Sequence, residues 1–273
     1  MPYLSIGDVR YFYQIAPEHS AAEHPALILL HGSGGDSSVW EKQIDGFGRD
    51  AAVIAPDLPG HGQSDGPLRT TVKDYAVWLN IFVEQLRINR FFLLGHSLGG
   101  AIAQEYARSF PQKVQGLILA GSGTQFIVAA DYLETVKNNF PAAVHASCQA
   151  AYAEGNISLF YKRGYAMLSG NGEKALYNDL AACSAFDSTA GVSSIAVPVL
   201  VICGSDDKIT PPESSKPLAQ LIPDAQLKIV AGAGHMAMME AATEFNEAIK
   251  TFIMRTTGIT EGLGDRKQSN RVG

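Results

Sequence analysis

Short apolar runs of strand length recur along the chain, separated by segments whose apolar residues fall at helical spacing. Residues 26–30, 52–55, 91–94, 114–120, 199–203 and 227–230 form almost unbroken apolar runs, the pattern of strands covered on both faces. Between Thr71 and Leu86, Val72, Tyr75, Ala76, Leu79, Phe82 and Val83 share one stripe with Leu86, and Thr71 with Asp74 has capping-box spacing. A second helix is expected over residues 101–110, ending at Pro111, and a last one carries Phe245, Ile249, Phe252 and Ile253 on one face. Strands alternating with helices predict a mostly parallel α/β sheet flanked by helices. Residues 3–6 and 11–15, around Gly7-Asp8, read as an antiparallel hairpin at a sheet edge.

Between Gly123 and Ser194 this rhythm stops. The stretch is rich in alanine and in aromatics such as Tyr132, Phe140, Phe160 and Tyr165, and it reads as several helices inserted between two sheet strands. From Thr257 onward the pattern fades into glycine and charge. The predicted organisation is a core of residues 1–122 and 195–256, a helical insertion over 123–194, and a flexible tail without catalytic role over 257–273.

Composition narrows the function. A net charge of −6 argues against nucleic acid or an anionic membrane as partner, since both reward a basic face. No run approaches the roughly 20 apolar residues that span a bilayer, and the first residues have neither a basic start nor an apolar h-region, so a cytoplasmic protein is expected. Cys148, Cys183 and Cys203 are scattered and odd in number, which suits reduced thiols rather than a disulfide framework. None has metal-ligand spacing, so no metal is expected. Cys203, inside an apolar run, reads as a buried inert thiol.

The chemistry gathers where the strands end. Gly95-His96-Ser97-Leu98-Gly99 follows an apolar strand and opens a helix. G-x-S-x-G in this context places a serine hydroxyl on a strained strand-to-helix turn, with a helix N-terminus favouring negative charge behind it. Serine needs a base, and the base needs an orienting group. Of the seven histidines, His235 lies just past the last strand, at the same carboxyl edge as Ser97. His19, His24 and His145 lie in loops or in the insertion. His96, next to the serine, is expected to point to the opposite side. After the strand at 199–203, either Asp206 or Asp207 is the candidate acid, giving the chain order Ser, Asp, His. His31-Gly32-Ser33-Gly34-Gly35 could offer backbone amides to an oxyanion, while the loop at 57–65, with Pro59, Gly60, His61 and Gly62, reads as a tight structural turn.

With HGSGG at 31–35, DLPGHGQSD at 57–65, GHSLGG at 95–100, GSDDKITPP at 204–212 and GAGH at 232–235 in this order, the chain resembles the α/β-hydrolase superfamily from Tyr3 to about Ile253. The resemblance implies the α/β-hydrolase fold, selects Asp207 over Asp206, and assigns the oxyanion hole to the amides of Leu98 and Ser33. It implies that the insertion is a helical lid and that no cofactor is needed. Serine at the elbow is unlike the aspartate of haloalkane dehalogenases and epoxide hydrolases, and Met236 stands where carbon–carbon bond hydrolases commonly carry tryptophan. The chain looks most like bacterial carboxylesterases, acting on small to medium, rather apolar esters. Alternatives are a carbon–carbon bond or amide hydrolase with the same triad, or a ligand receptor that retains it. Trp40, His96, Phe160, Tyr165, Met236 and Met238 are the candidate pocket residues. Oligomeric state is not legible.

Overall fold

The computed structural model describes residues 2–16, 26–47 and 51–258. His19, His24 and residues 259–273 lie outside the described residues. In chain order the elements are β1 (Tyr3–Ile6), β2 (Val9–Ala16), β3 (Ala26–Leu30), α1 (Glu41–Phe47), β4 (Ala52–Pro56), α2 (Val72–Gln85), β5 (Phe91–His96), α3 (Leu98–Ser109) and β6 (Val114–Ala120). Then come α4 (Ala130–Asn138), α5 (Phe140–Ala151) and α6 (Ile157–Ser184), followed by β7 (Val199–Gly204), α7 (Pro212–Leu221), β8 (Gln226–Val230), α8 (Ala237–Glu240) and α9 (Ala242–Thr257).

The strands form one eight-stranded sheet in the order β1-β2-β4-β3-β5-β6-β7-β8. β2 runs antiparallel to β1 and β4, and the remaining pairs are parallel. The hairpin expected at the edge is therefore present. From β3 the chain lays β4 on one side and β5 on the other, a switch of direction that opens a crevice at the carboxyl ends of the strands.

Every residue of β3, β4 and β5 is buried. Alternation divides them between two cores: Ile28, Leu30, Ile54 and Leu93 pack with α2 and α3, while Leu27, Leu29, Val53 and Leu94 pack with α9. Each such aliphatic side chain contributes about 1.5–3 kcal/mol relative to exposure. Thr71 caps α2, its Oγ1 accepting the Asp74 amide at 3.1 Å, and the apolar stripe below it is buried, with Leu86 half-buried at the helix end. In α9, Phe245, Ile249, Phe252 and Ile253 all face the core, and Gly258 ends the helix in the left-handed region.

β5 is longer than the apolar run suggests. Gly95 and His96 pair with Leu119 and Ala120 of β6, so the sharp turn falls on Ser97 itself. α4, α5 and α6 build a small core of their own around Val136, Val144, Cys148, Leu168 and Leu176. No helix among the described residues is long and apolar enough to cross a membrane.

Candidate active site

Ser97 joins β5 to α3 with φ 53° and ψ −117°. A non-glycine residue keeps such a backbone only where its surroundings over-determine it. Here the Ser97 amide donates to the Ala120 carbonyl at 2.9 Å, and its own carbonyl accepts the Gly100 and Ala101 amides at 2.8 and 3.1 Å. Strand and helix then meet at van der Waals distance. A Cβ on Gly95 would lie 2.0 Å from the Gly99 carbonyl oxygen, and one on Gly99 would lie 2.3 Å from that of Leu30. The amide of Leu98 opens α3, where the helix supplies no acceptor.

The loop after β8 brings His235 to the same cavity wall as Ser97. His235 Nδ1 donates to Asp207 Oδ2 at 2.9 Å. Asp207 Oδ1 accepts the amides of Ile209 and Thr210 at 2.9 and 2.8 Å, and Oδ2 also accepts the Thr210 hydroxyl at 3.0 Å. Burial pushes the Asp207 carboxyl up, but the His235 charge and these hydrogen bonds outweigh it and hold it below its ordinary value. Asp206, by contrast, is exposed, and its Oδ1 accepts the Ser205 hydroxyl at 2.8 Å. The structure therefore joins Asp207, not Asp206, to the histidine.

His96 departs from its expected direction. It lines the cavity beside Ser97, its ring centroid 4.5 Å from that of His235. The positive φ of Ser97 breaks the alternation that would have turned it away. Its Nε2 donates to the His235 carbonyl at 3.0 Å, leaving Nδ1 buried without a partner among the described residues. Burial and the His235 charge push it down to about 3, so it stays neutral.

The HGSGG loop lies against the serine, since a Cβ on Gly32 would come 3.1 Å from Ser97 Cβ. Ser33 faces a cavity of about 390 Å³ whose walls include Tyr132, Met167, Leu168, Leu176, Leu180 and Met236, a size and character suited to a small apolar ligand. Most of these side chains come from α4, α5 and α6. Fully exposed Ile127 also borders it. Cys148 and Cys183 reach the cavity as free thiols, but burial pushes them up to about 11 and about 12, and Cys203 is likewise raised to about 11.

Several candidate pocket residues are elsewhere. Trp40 and Met238 are fully buried in the core beneath α9; the turn of 3-10 helix that carries Trp40 presents its neighbour Val39 to the cavity instead. Phe160 stacks on Tyr152 at 5.4 Å, and Tyr165 stacks on Tyr161 at 5.8 Å. Neither lines the cavity. Helix α6 kinks at Gly172, and the aliphatic face around Leu168 and Leu176 is the one it turns inward. His96 and Met236 do line the cavity.

A buried polar group went unread in the sequence. Asp179 of α6 sits among apolar neighbours at helical spacing (Leu176, Ala182, Cys183), and that misplaced charge is the one signal it leaves. It is wholly buried and binds His61 Nε2 at 2.9 Å.

A strained serine at a strand-to-helix elbow, with a His–Asp pair on a parallel sheet's carboxyl edge, defines a class of enzyme fold. The family model for the alpha/beta hydrolase family matches residues 27–248, and the chain belongs to that family. A thermophilic esterase of known structure is 30% identical, with a TM-score of 0.82 over 93% of this chain and 97% of its own. Est816, described as an N-acyl homoserine lactone degrading enzyme, is 25% identical with a TM-score of 0.82, covering 92% of this chain and all (100%) of its own. RutD of Yersinia enterocolitica, provisionally named a carbamate hydrolase, is 27% identical over 95% of this chain and 98% of its own.

Proposed function

We propose that this protein is a serine hydrolase that cleaves carboxylic esters through an acyl-enzyme. Ser97 Oγ attacks the carbonyl carbon while its proton passes to His235. Asp207 holds Nδ1 as the protonated nitrogen, which leaves Nε2 as the base and stabilises the imidazolium that forms. The Ser33 and Leu98 amides receive the developing oxyanion, the latter with the favourable end of α3 behind it. His235 then protonates the leaving alcohol, and water, deprotonated by the same residue, releases the acid.

The observation that carries this reading is the strained Ser97 backbone on the wall of an apolar cavity shared with an Asp207-tethered His235. The likeness to a thermophilic esterase supports the ester class. The segment over 123–194 serves as the lid, since its helices supply most of the apolar wall. Its substrates are small-molecule esters with a rather apolar acyl or alcohol group, and its buried free thiols suit a cytoplasmic enzyme. The chemistry needs no cofactor.

The test is Ser97→Ala. It should leave the melting temperature within a few degrees and lower kcat by at least about 10⁴-fold, and a fluorophosphonate should label Ser97 alone. Labelling elsewhere, with activity kept in the variant, overturns the reading. A rate survey over p-nitrophenyl esters of graded acyl length, with lactones and carbamates alongside, then ranks the substrate classes.

A further inference from the structure

The loop proposed to hold the oxyanion is pinned from two sides. On the core side, the Gly32 carbonyl accepts the Gly35 amide at 3.1 Å and bonds His31 Nδ1 at 2.9 Å. His31 Nε2 in turn accepts the Leu58 amide at 3.0 Å, so the Nδ1–H tautomer is fixed and the imidazole is neutral. Because a peptide is planar, anchoring the Gly32 carbonyl turns the Ser33 N–H to the opposite side.

The other half of the loop is held by α6. The Gly34 amide donates to Asp179 Oδ2 at 2.8 Å, which fixes the peptide that follows Ser33. Asn171 Nδ2 donates to the Gly34 and Gly35 carbonyls at 3.0 and 3.1 Å, and its Oδ1 accepts the Gly62 amide at 2.6 Å. Gly34 has a φ of +63°, and a Cβ there would come 3.0 Å from Leu176 and 3.1 Å from Leu168, both side chains of α6. The helix is moulded onto this turn.

Asp179 is otherwise saturated by charge-assisted and phenolic bonds, from His61 at 2.9 Å to Oδ2 and from the Tyr75 hydroxyl at 2.7 Å to Oδ1. Burying an ion pair is costly, and leucines at this contact would hold helix to core as well. What the pair adds is one geometry. The imidazoles of His61 and His31 are 5.2 Å apart. Burial lowers His61 but Asp179 outweighs it and raises it above its ordinary value, while burial together with the His61 charge lowers His31. Asp57 and Asp36 also face these rings.

We infer that Asp179 is a positioning residue for the oxyanion site. Through Gly34 directly, and through His61 beside His31, it sets the orientation of the Ser33 amide, so the helical segment completes the catalytic loop as well as roofing the pocket. This rests on the serine-hydrolase reading above.

The experiment compares Asp179→Ala, Asp179→Asn, Asn171→Ala and a control, Arg163→Met, in the full chain on a p-nitrophenyl ester. Arg163 ties α6 to Glu41 and to the Ser38 carbonyl and does not touch the loop. Each folded variant is also titrated with a trifluoromethyl ketone. Ser97 Oγ adds to that carbonyl carbon, its proton passes to His235, and the carbonyl oxygen becomes an oxyanion in the loop. Asp179→Ala should lower kcat about ten- to a hundredfold, less than the 10²–10³ for deleting an oxyanion donor. KM should stay within about threefold, and ketone affinity should fall in parallel with kcat. Asp179→Asn, which keeps a side-chain oxygen for the Gly34 amide, should recover most of the loss, and Asn171→Ala should lose several-fold. Arg163→Met should match wild type. If Asp179→Ala does not fold, Asn171→Ala decides on the same readouts. Wild-type kcat and ketone affinity in folded Asp179→Ala and Asn171→Ala, a loss confined to KM, or an equal loss in Arg163→Met overturns the inference. Activity retained by Ser97→Ala overturns the parent reading instead, so the two failures are separable.

Discussion

Asp207 and Asp206 are neighbours in sequence with opposite surroundings. One is buried under bonds from His235, Thr210 and Ile209, and the other faces solvent beside Ser205. An amide at the orienting position favours the wrong imidazole tautomer, so Asp207→Asn should lower kcat by about 10³- to 10⁴-fold. Asp206→Asn should stay within about twofold, the usual consequence of an exposed substitution away from the site. Steady-state kinetics on one ester measures both, and equal losses would remove Asp207 from its role. Which aspartate meets the histidine depends on where the chain turns after β7, and residue type alone left the two equivalent. The resemblance to a family selected Asp207, the aspartate that bonds His235 here, because it carries that register with it.

Among the elements, α6 supplies much of the cavity's aliphatic wall. Met167 and Leu180 line the cavity, whereas Phe160 and Tyr165 spend their rings on Tyr152 and Tyr161. Met167→Ala and Leu180→Ala should shift the ratio of kcat/KM between long and short acyl esters by about 1–3 kcal/mol, the scale of an apolar pocket contact. Phe160→Ala and Tyr165→Ala should lower the melting temperature and leave that ratio in place. Paired kinetics and thermal melts separate the two outcomes, and a ratio shifted only by the aromatic variants would place the acyl group elsewhere. Helical content in this segment was legible from its composition. The inward face was not, because the kink at Gly172 and packing against α4 and α5 fix the rotation of the helix.

Two buried carboxyls and one buried imidazole tie folding to pH. Asp179 and Asp207 are held below their ordinary 3.8, burial being outweighed by His61 and His235 respectively and by their hydrogen bonds. Groups with depressed values stabilise the fold above the unfolded value and lose that contribution as pH falls through the folded one. His61 is raised above its ordinary 6.5, because Asp179 outweighs burial. Its contribution is complete below 6.5 and fades as pH rises through the raised value. The melting temperature of wild type minus that of Asp179→Asn should therefore be greatest between about pH 4 and 6.5 and narrow on both sides. Thermal melts from pH 3 to 9 measure it. A difference unchanged from pH 6 to 9 would mean that His61 is neutral in the folded protein.

The strands, the sheet class, the strained serine and the histidine past the last strand were written in local pattern, since apolar period and turn chemistry act over a few residues. The mate of His61 was not. Asp179 is 118 positions away from His61, and an aspartate on an apolar stripe names no partner until the helix is laid on the sheet. The same holds for Trp40, Phe160 and Tyr165, whose type suits a pocket and whose place is in packing. A backbone turn is decided by neighbours in the chain, whereas the direction in which a side chain points is decided by what lies across from it.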